Sequence, residues 1–139
     1  PELRKKVSER AVLRAFHFYE ENDRVELAAM ALREKREDAF LSAVSGSGIS
    51  SLNCLQNCFV PGSDRQPVTL ALHLSEILIQ DGAVRIHGGG FAGTIIAFVA
   101  DGETERYVNG MSRVFGESNI FTANIRRFGA AKIDVRELL

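Results

Sequence analysis

Four of the six residues at positions 88–93 are glycine, and the cluster lies between two runs with strand character. Upstream, residues 83–87 alternate, with Val84 and Ile86 on one side and Arg85 and His87 on the other. Downstream, Thr94-Ile95-Ile96-Ala97-Phe98-Val99 is an unbroken β-branched and aromatic run, the pattern of a strand covered on both sides or central in a sheet. Ordering a glycine costs conformational entropy, so this density marks a backbone that takes positive φ or passes very close to another group. Gly88, Gly90 and Gly93 satisfy G-x-G-x-x-G. That dinucleotide device, however, needs a loop that opens a helix, and here the loop runs into a strand. A Walker loop is excluded because no Gly-Lys-Ser or Gly-Lys-Thr follows. The plain structural reading is a tight hairpin whose glycines let the backbone pass a neighbouring element.

The chain ahead of this hairpin is helical in pattern. Apolar residues recur at three and four from Leu3 to about Arg33, and the polar quartet Glu20-Glu21-Asn22-Asp23 bends or divides that stretch. A charged segment, residues 33–38, precedes a short helix carrying Phe40, Leu41 and Val44. Ser45-Gly46-Ser47-Gly48 then reads as a flexible turn, with a further helix from about Ser50 through Cys58. Pro61-Gly62-Ser63-Asp64 makes a loop, and Pro67 suits the first position of a helix over 68–80, where its missing N–H is harmless. That helix is apolar on most sides and is expected to be heavily buried. After the second strand, Asp101 is placed to cap a helix whose stripe is Tyr107, Val108, Met111, Val114 and Phe115, and Gly116 ends it. Residues 120–125 alternate again, predicting a third strand with Phe121, Ala123 and Ile125 inward.

Helices first, then strand, strand, helix, strand, predict an α+β fold with a small, mainly antiparallel sheet backed by helices. With 139 residues, 45% of them hydrophobic, the chain suits one domain over 1–139 and one core, without disulfides or a structural metal. Seventeen basic against 18 acidic residues argue against duplex nucleic acid or an anionic membrane as the main partner. No apolar run reaches the roughly 18 residues of a membrane span, and no leader pattern opens the chain, which predicts a cytoplasmic protein. Pro1 in place of Met predicts a piece of something longer.

Cys54 and Cys58 stand four apart and would share one helix face, half a metal site at most. His17, His73 and His87 supply no second pair at ligand spacing, so the cysteines read as small apolar residues beside an inward Leu55. His17 and His73 sit in apolar helical patterns and read as core or boundary histidines. No carboxylate, histidine or nucleophile has a partner at a spacing that forces a catalytic site.

The run Gly82-Ala83-Val84-Arg85-Ile86-His87-Gly88-Gly89-Gly90-Phe91-Ala92-Gly93-Thr94 and the strand after it resemble the third conserved motif of the galactokinases, in the GHMP family of small-molecule kinases. That motif reads approximately G-A-R-M-T-G-x-G-F-G-G before a hydrophobic strand. Upstream, Glu20-Glu21-Asn22-Asp23-Arg24-Val25, then Ala28 to Arg33 and Asp38-Ala39-Phe40, are similar to the galactokinase stretch that precedes it. The resemblance covers residues from about 10 to 125, and it is closer to galactokinases than to mevalonate or homoserine kinases.

It implies a ferredoxin-like α+β domain of the GHMP C-terminal type, forming one wall of a cleft in which the γ-phosphoryl of MgATP passes to the C1 hydroxyl of galactose or a related sugar. Gly88, Gly89, Gly90, Phe91 and Gly93 match the motif and would shape the nucleotide and sugar pocket. His87 stands where Thr is usual, Ala92 replaces a glycine and Thr94 a frequent Cys, departures that fit a divergent branch. His87 would hydrogen-bond a phosphate or sugar hydroxyl, or simply face a neighbour at a strand end.

The family keeps its sugar segment, Gly/Ser-rich phosphate loop, Mg2+ and ATP machinery and catalytic Asp in an N-terminal domain that cannot be placed here. The chain therefore supplies no catalytic or metal residue, needs the missing N-terminal kinase domain as partner, and is expected to be inactive alone. Ser45-Gly46-Ser47-Gly48-Ile49-Ser50-Ser51-Leu52 imitates that phosphate loop, but its place in the chain matches an ordinary C-terminal segment. The alternative is a non-catalytic ligand-binding or dimerisation module that kept the fold. Loss of the other half would leave an apolar face, including Phe91, that invites a homo-oligomer.

Overall fold

A computed structural model describes residues 6–91 and 93–125. Helix α1, Glu9–Arg33, starts at Ser8, whose hydroxyl accepts from the Ala11 N–H at 3.2 Å. It ends in a Schellman arrangement. Arg36 N–H donates to Ala31 O at 2.8 Å and Lys35 N–H to Leu32 O at 3.3 Å, with Lys35 left-handed at φ 57°. The polar quartet does not divide α1, which runs unbroken through it. Glu20 and Glu21 lie one turn before Arg24 and pair with it at 2.6 and 2.9 Å, so these charges support the helix they were expected to interrupt.

Helix α2, Glu37–Ser50, runs straight through Ser45-Gly46-Ser47-Gly48, which is therefore no turn. Gly48 serves packing instead. A Cβ on Gly48 would stand 2.9 Å from the Val84 carbonyl oxygen, so only glycine lets the helix lie this close to a strand. One wide π turn, Ser51–Leu55, follows, and Gln56 stops it in the left-handed region at φ 58°. The helix expected through Cys58 thus breaks three residues early. Cys54 and Cys58 share no helix face, and Cys58 alone is fully buried.

Helix α3, Pro67–Leu78, has Pro67 in its first turn and two residues fewer at its end than the sequence pattern predicts. Val68, Ala71 and Ser75 bury one face, whereas Leu70, Ile77 and His73 are exposed. Both the all-round burial and the core placement of His73 are therefore corrected. An apolar helix in a thin layer finds a partner on one side only.

Strand β1, Gly82–Ile86, pairs antiparallel with β2, Ile95–Val99, with Gly82 opposite Val99 and Ile86 opposite Ile95. Helices cover both faces of this ribbon. Phe98 meets Phe40 of α2 edge-on at 5.2 Å, while Ile95, Ala97 and Val99 pack against Ala71 and, on helix α4 (Thr104–Phe115), Tyr107 and Met111. A second apolar cluster joins Ile86 to Cys58 and Val68. Val114, the outermost member of the α4 stripe, stays exposed. Gly116 closes α4 as expected, but Asp101 does not cap it. A 3₁₀ turn, Asp101–Glu103, intervenes, and the Glu103 carboxylate accepts from the Gln80 N–H at 2.9 Å.

The architecture is α+β, four helices around a two-stranded antiparallel sheet among the described residues. Residues 120–125 are not a strand. They pair with neither β1 nor β2, and Phe121 is 79% and Ile125 85% exposed: alternation makes a strand only where its apolar side is packed. No described helix is long and apolar enough to cross a membrane.

Candidate functional site: the glycine-rich hairpin tip

The tip begins where the β ladder stops. His87 N–H donates to Thr94 O at 2.9 Å, adding one rung beyond Ile86 and Ile95, and both His87 and Thr94 are exposed. Beyond that rung the backbone turns left-handed at Gly88 (φ 68°), Gly90 (φ 79°), Phe91 (φ 54°) and Gly93 (φ 92°). Glycine reaches this region without steric cost, and an aromatic residue rarely does. Ala92 lies outside the described residues.

Phe91 is held there by a segment more than thirty residues away. Its N–H donates to the main-chain oxygen of Asn57 at 3.1 Å, and the Asn57 side-chain amide donates to Gly89 O at 3.2 Å. Between these two bonds Gly90 lies directly on Asn57, where a Cβ would come within 2.3 Å of its carbonyl oxygen. Asn57 itself is 3% exposed, and the left-handed Gln56 turns it toward the hairpin. No open space faces Gly90, whereas Gly88, Gly89 and Gly93 have nothing within 4 Å of the position a Cβ would take. Of the six expected loop residues, His87, Gly88, Gly89, Gly90, Phe91 and Gly93 do share one tip. Asn57 was missed, since no periodicity links an asparagine after a helix to a hairpin.

A second polar constellation joins α1, α2 and β1 on the other side of the strand. The Glu21 carboxylate accepts from the Ser47 hydroxyl, from Arg85 at 3.2 Å and from Arg24 at 2.9 Å. Burial pushes its pKa up, but the hydrogen bonds from Ser47 and Arg24 and the charges of Arg85 and Arg24 hold it below the usual carboxylate value. Next to it, His17 Nδ1 shares a hydrogen bond with the Ser50 hydroxyl at 3.0 Å, which fits the expected boundary histidine. Two of the four serines that imitate a phosphate loop are thus spent within the fold, Ser47 on Glu21 and Ser50 on His17.

A cleft of about 480 Å³ separates α1 from α2, with Arg24, Met30, Asp38 and Ser42 on its walls and none of the hairpin-tip residues. No three His, Cys, Asp or Glu side chains gather among the described residues. Burial raises the Cys58 thiol, which leaves it a poor nucleophile. Comparison with protein-family models and with curated proteins finds no match.

Proposed function

We propose that this chain is the C-terminal domain of a galactokinase-type kinase, in which MgATP phosphorylates the C1 hydroxyl of galactose or a related sugar and the glycine-rich tip lines one wall of the cleft. The observation that carries the reading is the run Gly82 to Val99, which resembles the family's third motif and folds as a hairpin with an exposed, left-handed tip. Such a tip can approach anionic or hydroxyl oxygens closely because three of its glycines have no side chain or neighbour in the way. Phosphoryl transfer depends on positioning and charge stabilisation, and a rigid wall contributes the first of these. ATP, Mg2+ and the catalytic carboxylate belong to the partner N-terminal kinase domain, in a cytoplasmic enzyme.

ADP release in the presence of galactose and MgATP tests this. The full reading frame is expected to turn over and the 139 residues alone to show none. Turnover by the isolated chain, or an upstream frame without a sugar segment, phosphate loop and aspartate, overturns the reading. One observation favours the second reading, a dimerisation module. Helix α1 buries only Ala31 and leaves Phe16, Phe18, Val25, Leu27, Met30 and Leu32 exposed. Sedimentation separates the two, because a module that works as a homodimer associates in the full-length protein as well.

A further inference from the structure

We propose that Asn57 is the positioning residue of the glycine-rich tip, the group that sets its left-handed shape and so the surface it offers to a ligand. The ligand part rests on the kinase reading, whereas the conformational part does not. Three contacts converge on this one buried residue: its amide on Gly89 O, its main-chain oxygen on Phe91 N–H, and its backbone under Gly90. The tip has no other anchor of this kind among the described residues, since Gly88, Gly89 and Gly93 meet nothing within 4 Å where a Cβ would stand. Phe91 is 48% exposed, so its left-handed backbone is not repaid by burial of the ring. The bond to Asn57 O is what selects it.

The asparagine chemistry is specific. A carbonyl oxygen faces the side chain at Gly89, so that position requires a donor. Asn57→Asp keeps the shape and converts the donor to an acceptor when ionised, while a protonated Asp can donate again. Burial raises the pKa of such a carboxyl, so acid favours the protonated, donating form and alkali the acceptor.

The experiment measures amide exchange of the 88–94 segment, corrected for intrinsic rates, together with kcat and KM for galactose and ATP in the full-length protein at about pH 5.5 and 8. Asn57→Asp is expected to exchange about tenfold faster at the tip than wild type at the higher pH, the equivalent of one net hydrogen bond. It recovers toward wild type at the lower pH, and kcat/KM follows the same profile. A uniform structural defect would not recover on acidification. Gly90→Ala leaves residue 57 an asparagine but drives a methyl against its carbonyl oxygen and amide, and it is expected to loosen the tip at both pH values. It also serves as the decisive variant if Asn57→Asp does not fold. Wild-type exchange in both variants overturns the proposal, as does an Asn57→Asp defect independent of pH. A tip that loosens as expected in a protein with no galactose-dependent ADP release leaves the positioning role standing and sinks the kinase reading.

Discussion

The two faces of the β ribbon are covered by helices, but by opposite means. Against α3 and α4 the contact is apolar: Ile95, Ala97 and Val99 meet Ala71, Tyr107 and Met111, and the buried hydroxyls of Ser75 and Tyr107 satisfy each other at 2.8 Å. Against α1 and α2, Arg85 leaves the same ribbon toward Glu21, which also holds Ser47 and Arg24. The first face depends on volume and should be indifferent to acid. The second combines the Phe40–Phe98 contact with hydrogen-bond geometry and charge, which adds directional specificity and exposes it to pH.

The largest expected effect is on the apolar face. Met111 is fully buried, and Met111→Ala removes its volume from the centre of that cluster, so urea denaturation should show a loss of about 2–5 kcal/mol. A change below about 1 kcal/mol would mean the layer collapses to fill the space, and the contrast between the faces would weaken.

On the polar face, Glu21→Gln removes the charge that Arg24 and Arg85 share and is expected to cost about 1–2 kcal/mol at neutral pH. The sign follows from the lowered pKa. Glu21 binds its proton less readily in the folded state than in the unfolded chain, so its contribution is complete above the unfolded value of about 4.3 and fades as pH falls through the lower folded value. Melting temperatures taken down to about pH 3 should fall less steeply for Glu21→Gln. An acid limb as steep in the variant as in wild type would place the proton uptake elsewhere.

Tyr107→Phe returns to the apolar face with a smaller cost, about 1 kcal/mol, because Ser75 keeps its bond to Ala71 O at 2.7 Å. A loss well above that would show that the hydroxyl pair, not the packing, organises the α3–α4 contact. The smallest effect is expected on the outer side of α1. Phe18→Ser should change monomer stability by less than about 0.5 kcal/mol, while reducing any self-association seen by size-exclusion chromatography. A clean dilute monomer before substitution overturns the expectation that this face associates.

Much of the fold was legible because it is local. The alternation at 83–87 assigned Val84 and Ile86 to one face of β1 and Arg85 to the other, as the two helical layers bear out. The continuous run at 94–99 predicted a strand covered on both sides or central in a sheet, and Ile95–Val99 is a strand with helices on both faces, not a central one, while Pro67 and Gly116 marked helix ends. Local reasoning failed where a residue answers to a distant one. Ser45-Gly46-Ser47-Gly48 has turn composition, yet it is helical, and Gly48 is the close approach to the β1 backbone. Glu20 and Glu21 look like a break until Arg24 one turn later, and Ser47 and Arg85 across the fold, are seen to pair with them. The hairpin tip was recognised from its glycines alone, while its anchor was invisible.

By itself, then, the amino-acid order determined most of the helical and extended segments, though not residues 45–48 or 120–125, and the hairpin between β1 and β2, because periodicity and glycine's steric freedom act within a few residues. Tertiary structure alone decided which glycine is a close contact rather than a turn, that residues 120–125 do not join the β1–β2 sheet, and that Asn57 rather than the loop's own sequence holds Phe91 left-handed. Each of these depends on a distance between segments far apart in the chain, and such a distance exists only once the layers have packed.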